Sequence, residues 1–165
     1  MLKLRYVPNG IDDIVKYYGI PGQVERGKFV TNTNWFKENV EVFRLSFPLR
    51  QSWDYKEVRA FHAHRLVGAV MVDAFEEIHE FYGLRVMRLK GLDFFGGIYN
   101  PRFKRGKKEP STHAFAISVD QCPGLGPYNE PSLMPWVIVE AFLRRGFINF
   151  PAFDGMHFQA CGKEY

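Results

Sequence analysis

Three residues in the C-terminal third carry side chains suited to a metal ion: His113, Asp120 and His157. Neutral imidazole nitrogens and carboxylate oxygens are zinc ligands, and a catalytic zinc site uses three of them with the fourth position open to water. A further carboxylate, Asp154, stands three residues before His157, so the two can share one side of a tight turn across Asp154-Gly155-Met156-His157. Zinc lowers the pKa of water to about 7, and a nearby carboxylate can accept the proton released and return it to a leaving amine. Arg102 or Arg105 could neutralise charge on a tetrahedral intermediate or hold a substrate carboxylate. Plainer roles stay open at this point. A lone His or Asp is commonly structural or superficial, and Asp154 beside Gly155 suits a simple turn.

The elements that carry these groups follow from periodicity. Phe115, Ile117 and Val119 alternate with Ala114, Ala116, Ser118 and Asp120, which predicts a strand with one bulky and one small face. His113 and Asp120 are seven apart, so on one regular strand they face opposite ways. His113 therefore belongs in the turn before the strand, unless a bulge intervenes. A helix is expected over residues 11–18, stopped by Gly19 and Pro21, and loops with short extended pieces over 20–53. Ala60, Ala63, Val67, Val70, Ala74, Ile78 and Phe81 recur at steps of three and four, predicting a long helix from 54 to 83. Residues 84–90 read as a strand, and 91–110 as a loop rich in Gly, Pro and basic residues. Four prolines and two glycines make 121–135 a long loop. A last helix starts near Pro135, with Trp136, Val139 and Leu143 on one side, and stops at Gly146; residues 147–150 form a short terminal strand. Helices packed on a small, mainly antiparallel sheet without regular strand–helix alternation give an α+β class.

Composition bounds the whole. The chain has 165 residues, 46% hydrophobic and 24% charged, which suits one globular domain with a true core. Sixteen Phe, eight Tyr and three Trp argue against disorder, and two cysteines exclude a disulfide scaffold. The longest apolar run, residues 66–72, is too short to span a bilayer, and the N-terminus lacks the apolar core of a signal peptide. The net charge of +4 is unevenly spread: Arg102, Lys104, Arg105, Lys107 and Lys108 crowd just before His113. Such a cluster favours an anionic partner, or is a solvated loop that keeps the protein soluble. Near the candidate site, Cys161 reads as a free core thiol rather than a ligand, and nothing compels a Cys122–Cys161 pair. His62 and His64, placed on the long helix, diverge and make a poor metal site; His79, Glu76, Glu77 and Glu80 read as a solvated helix face.

The segment Ser111-Thr112-His113-Ala114-Phe115-Ala116-Ile117-Ser118-Val119-Asp120 resembles the Ser-x-His-x-x-Gly-x-Ala-x-Asp motif of zinc peptidases that cut peptidoglycan stems. That family includes D-alanyl-D-alanine carboxypeptidases and dipeptidases and the L-alanyl-D-glutamate endopeptidases of phage endolysins. Asp154-Gly155-Met156-His157-Phe158-Gln159 resembles its second motif, in which an acidic residue precedes a ligand-bearing His-Phe. Phe142-Leu143-Arg144-Arg145-Gly146-Phe147 is similar to the helix and strand leading there, and Gly96-Gly97-Ile98-Tyr99-Asn100-Pro101-Arg102 to the stretch with the substrate-binding arginine. The resemblance spans roughly residues 92–160. It implies a fold like that of the Hedgehog and D-Ala-D-Ala peptidase proteins, zinc as cofactor, and His113, Asp120 and His157 as ligands. It further implies Asp154 as general base and acid, Arg102 as the oxyanion or carboxylate contact, and Arg105 and Ser111 as substrate-binding residues. The motif glycine is Ala116 here, the motif alanine is Ser118, and the Gly-Gly pair often found after the last helix is Asn149-Phe150.

The resulting expectation is a zinc peptidase acting on the bacterial cell wall, made in the host cytoplasm as a monomeric phage or prophage endolysin. It has no membrane insertion, no nucleic-acid partner and no separate wall-binding domain. The bond cut is either L-alanyl-D-glutamate or D-alanyl-D-alanine. A non-catalytic peptidoglycan-binding or phage structural module on the same fold is the alternative. A nucleic-acid binder using residues 102–108 is the weakest candidate, because no recognition motif accompanies the cluster.

Overall fold

The computed structural model describes residues 1–162. Its order is α1 (Ile11–Tyr18), β1 (Gly22–Glu25), β2 (Lys28–Thr31), α2 (Thr33–Asn39), β3 (Val40–Gln51), β4 (Glu57–His64), α3 (Gly68–Lys90) and β5 (Phe94–Gly97). The site-bearing half follows: β6 (Ser118–Gln121), α4 (Trp136–Leu143), β7 (Ile148–Phe150) and β8 (Asp154–Gln159). β1 and β2 form a small hairpin, and the other six strands make one sheet in the order β4-β3-β5-β6-β8-β7. Within it only β3 and β5 run parallel, so the class is α+β with a mainly antiparallel sheet. No helix among the described residues is long and apolar enough to cross a membrane.

α1 falls where periodicity placed it, and Gly19, at φ 80°, ends it. The segment 20–64 differs from expectation. Residues 40–51 are a long strand rather than loops, and residues 57–64 are its antiparallel partner rather than the start of a helix. Ala60 and Ala63 happen to fit a helical stripe, but Phe61 and Ala63 point into the core with a period of two. The helix begins only at Gly68, where an added Cβ would meet the Phe43 ring at 2.0 Å. From there Val70, Met71, Ala74, Phe75 and Ile78 face the core, and Phe75 meets Phe142 of α4 edge-on at 5.5 Å. Gly83 breaks the helix at φ 69°. The chain then resumes helical form, so residues 84–90 are helix and not strand, with Met87 buried until Gly91 closes it at φ 68°.

The acidic face of α3 is also more engaged than a solvated surface. Glu76 accepts from the Ser46 backbone N–H at 2.6 Å and its hydroxyl at 2.5 Å, His79 stacks on Phe47 at 4.1 Å, and Glu77 pairs with Arg144 and Arg145. Glu80 alone of the four stays exposed. In α4 the buried residues are Ile138, Val139, Ala141 and Phe142. Trp136 and Leu143 instead stand out beside a surface groove, so the expected stripe is rotated. β7 is an edge strand but not the last one, because β8 inserts between it and β6.

His62 and His64 lie on β4, not on a helix, and His64 is fully buried between Tyr18 and Trp35. Its Nδ1 accepts from the Leu66 N–H at 3.2 Å, which leaves Nε2–H to donate to the Tyr18 carbonyl at 3.3 Å. Burial pushes the His64 pKa down to about 4. Between its usual value near 6.5 and that value the unfolded chain binds the proton that the fold refuses, so stability falls as pH falls through this window. The loss should be on the order of 3 kcal/mol by pH 4. Urea midpoints measured from pH 7 to 4 should fall more steeply for the native protein than for His64→Gln; parallel profiles would remove His64 as the cause. Because the His64 N–H donates to Ala116 O at 2.9 Å, this acid-sensitive point abuts the turn that holds His113.

Candidate metal centre

His113 sits in the turn before β6, one of the two arrangements its spacing from Asp120 allowed, and residues 114–117 belong to that turn rather than to the expected strand. Backbone N–H groups of Ala114, Ala116 and Ile117 donate to Ser111, His113 and Thr112 carbonyls, winding residues 111–117 into a compact bend. Ala116 occupies the left-handed region at φ 56°. A glycine is free there and an L-residue costs about 1 kcal/mol. The Ala at this motif position thus bears on backbone strain and leaves the ligand side chains in place.

Asp120 and His157 are direct cross-strand partners on β6 and β8, which brings residues 37 apart onto one face. Asp154 is the first residue of β8 rather than part of a tight turn; the turn comes earlier, at 151–153. A bulge, where the register shifts between Asn149 and Phe150, lets Asp154 and His157 line the same cavity despite their odd spacing. Asn149 secures it by donating to the Gly155 and His157 carbonyls at 2.9 and 2.8 Å. Close approach demands two glycines here. A Cβ on Gly96 would lie 2.7 Å from the Asp120 Cβ, and one on Gly155 would lie 2.3 Å from Ser132.

The ligand atoms of His113, Asp120 and His157 lie within 4.8 Å of one another, and this group can hold a metal ion. Asp120 Oδ1 is 3.2 Å from His113 Nε2 and 2.9 Å from His157 Nδ1. His113 Nδ1 is 2.8 Å from the Ile98 carbonyl, an acceptor only, so that nitrogen carries the proton and Nε2 is bare. A bare nitrogen facing a carboxylate is repulsive, and His113 Nε2 is buried with no hydrogen-bond partner. A cation between the donors removes the conflict, and a backbone carbonyl behind the imidazole is the usual support for a metal-binding His.

The group opens onto a cavity of about 400 Å³, within the size range of small-ligand sites. Arg102, Lys104, Arg105 and Lys107 form one wall, and Tyr128, Phe150 and Phe153 another. Asp154 is half-buried in it with Oδ1 unpartnered, and burial, aided by the charge of Asp120, pushes its pKa up. The Arg105 guanidinium lies 4.3 Å over the Tyr128 ring and so ties the basic loop to the proline-rich one. Arg102 lines this cavity and a second of about 170 Å³, which shares His113 and Asp120 and is walled by the exposed Trp53. Ser111 lines the main cavity too, while its hydroxyl accepts from the His113 N–H at 3.3 Å. Every candidate residue is therefore brought to one place.

Cys122 and Cys161 are buried, unpaired with each other and outside the donor group, and burial pushes each thiol up to about 12. Residues that the sequence reading passed over are Thr112, Gln159, Tyr128 and Trp53. Only Gln159 carried a usable signal: two residues beyond His157 on a strand, it must share the same face. No protein-family model, curated protein or solved structure matches the chain.

Proposed function

We propose that the chain is a zinc-dependent peptidase of peptidoglycan stem peptides with a Hedgehog/D-Ala-D-Ala peptidase-like fold, acting as a phage or prophage endolysin. The observation that carries this reading is the convergence of His113 Nε2, His157 Nδ1 and Asp120 Oδ1 on one point beside an unpartnered, half-buried carboxylate. Three protein donors at the floor of an open cavity match a catalytic site better than a closed structural one. Zinc held there would supply Lewis acidity, lowering the pKa of water to about 7 and polarising a carbonyl oxygen. Asp154 then serves the proton: its carboxylate accepts one from the attacking water and passes it to the departing amine. Arg102, between the two cavities, neutralises negative charge on the reacting carbonyl oxygen or holds a substrate carboxylate. Arg105 and Ser111 contribute to substrate binding, and the basic wall suits an anionic polymer.

Hydrolysis of purified peptidoglycan should disappear on treatment with a strong chelator and return on adding zinc, and mass spectrometry of released fragments would identify the bond cut. Undiminished hydrolysis by metal-free protein would overturn the assignment. Metal binding without any hydrolysis would favour a non-catalytic wall-binding module.

A further inference from the structure

We propose that Gln159 is a positioning residue that fixes the tautomer of His157, so that Nδ1 is the nitrogen presented to the metal. The inference rests on the metal-binding reading of the same group. A neutral imidazole can offer either nitrogen, and which one is bare depends on what the other one meets. His157 has polar neighbours on both sides: Asp120 Oδ1 lies 2.9 Å from Nδ1, while Gln159 Oε1 and Thr112 Oγ1 lie 3.2 and 3.3 Å from Nε2. Asp120 alone would draw the proton to Nδ1 and spoil that nitrogen as a ligand. The Thr112 hydroxyl can rotate to donate or accept, so it does not decide.

Gln159 decides because its amide cannot turn. Its Nε2 donates to two backbone carbonyls, Cys161 at 3.3 Å and Gly162 at 2.9 Å. Flipping the amide would set its oxygen against both of them. Oε1 therefore faces His157 as a pure acceptor, and Nε2 must bring a proton to it. Nδ1 is left bare toward Asp120 and His113 Nε2, the arrangement a cation needs. Gln159 is nearly buried, so water does not readily substitute for its oxygen. His113 is set in the opposite sense by the Ile98 carbonyl, through Nδ1. The two imidazoles thereby offer Nε2 of one and Nδ1 of the other to a single cation, whose charge offsets the repulsion from Asp120.

Nitrogen-15 NMR of the metal-free protein reads the tautomer directly, and competition with a chromophoric chelator reads zinc affinity; neither needs substrate. The native protein should carry the His157 proton on Nε2. Gln159→Met keeps the volume without the acceptor; it should shift the proton toward Nδ1 and weaken zinc binding about 10- to 100-fold. Gln159→Glu keeps the acceptor and, as the neutral carboxyl, one donor toward the Gly162 carbonyl; it should retain the Nε2–H tautomer and most of the affinity, which a purely structural role does not predict. A native His157 protonated on Nδ1, or a Gln159→Met protein with native tautomer and affinity, would overturn the proposal. If Gln159→Met fails to fold, the native tautomer and the Gln159→Glu affinity still decide. A native protein that binds zinc with no dependence on Gln159 leaves the metal centre standing and removes this inference, whereas a native protein that binds no metal removes the reading beneath it.

Discussion

Replacing Asp154 by asparagine is expected to lower peptidoglycan hydrolysis by about a hundredfold to ten-thousandfold while zinc affinity stays within a few-fold of native. The substitution keeps size and shape but removes the group that takes and returns a proton. Such a loss corresponds to roughly 3–5 kcal/mol of transition-state stabilisation. Asp154 is suited to the task on two grounds. Its Oδ1 has no hydrogen-bond partner, so no other group of the protein competes for a proton there. Burial raises its proton affinity above that of an ordinary carboxylate, the direction a general base needs. Because Asp154 lies outside the candidate donor group of His113, Asp120 and His157, the asparagine variant should still bind the ion. The measurement is the hydrolysis rate beside metal content. Native rates in the variant would remove Asp154 from the chemistry, and loss of metal would place it among the ligands instead.

The site was more legible in the sequence than the sheet that builds it. Ligand types can be read directly, and parity leaves His113 either in a turn or beyond a bulge, because a regular strand cannot turn residues 113 and 120 to one side. What closes the group is the pairing of Asp120 with His157, a contact between residues 37 apart that no local pattern encodes. The bulge at Asn149 and Phe150 is equally non-local, and so the shared turn expected for Asp154 and His157 proved to be an irregular strand edge. The largest departure covers residues 40–64: β3 carries no sustained alternation to mark it as a strand, and in β4 two alanines also satisfy helical spacing. Ala60 and Ala63 are small enough to suit either period, and only pairing with β3 selects the strand. Gly19, Gly83 and Gly91 all interrupt helices, but from sequence Gly83 looks like a terminus because nothing local announces that helix resumes beyond it.

The same non-local logic predicts where the fold is most vulnerable. Arg145 follows α4, and its side chain is only 2% exposed. It pairs with Asp73 at 2.6 Å and Glu77 at 2.8 Å, and donates to the Ala141 and Asp73 carbonyls at 2.6 and 3.0 Å. These bonds fasten the end of α4 to α3, just ahead of the β7–β8 unit that carries His157. Removing one member of a buried ion pair typically costs about 3–5 kcal/mol, much of it from stranding the partner charge. Here Asp73 and Glu77 each keep 28% side-chain exposure, so they can partly rehydrate, and Asp73 also accepts from the Leu2 N–H at 2.9 Å. Arg145→Met should therefore lose roughly 3 kcal/mol, the low end of that range. Urea unfolding with an unchanged slope would measure it. Adding Asp73→Asn and Glu77→Gln should recover part of the loss, because the stranded charges are then gone. A single-variant cost below about 1 kcal/mol, typical of surface pairs, would mean that apolar packing of Phe75 on Phe142 holds the two helices without the arginine.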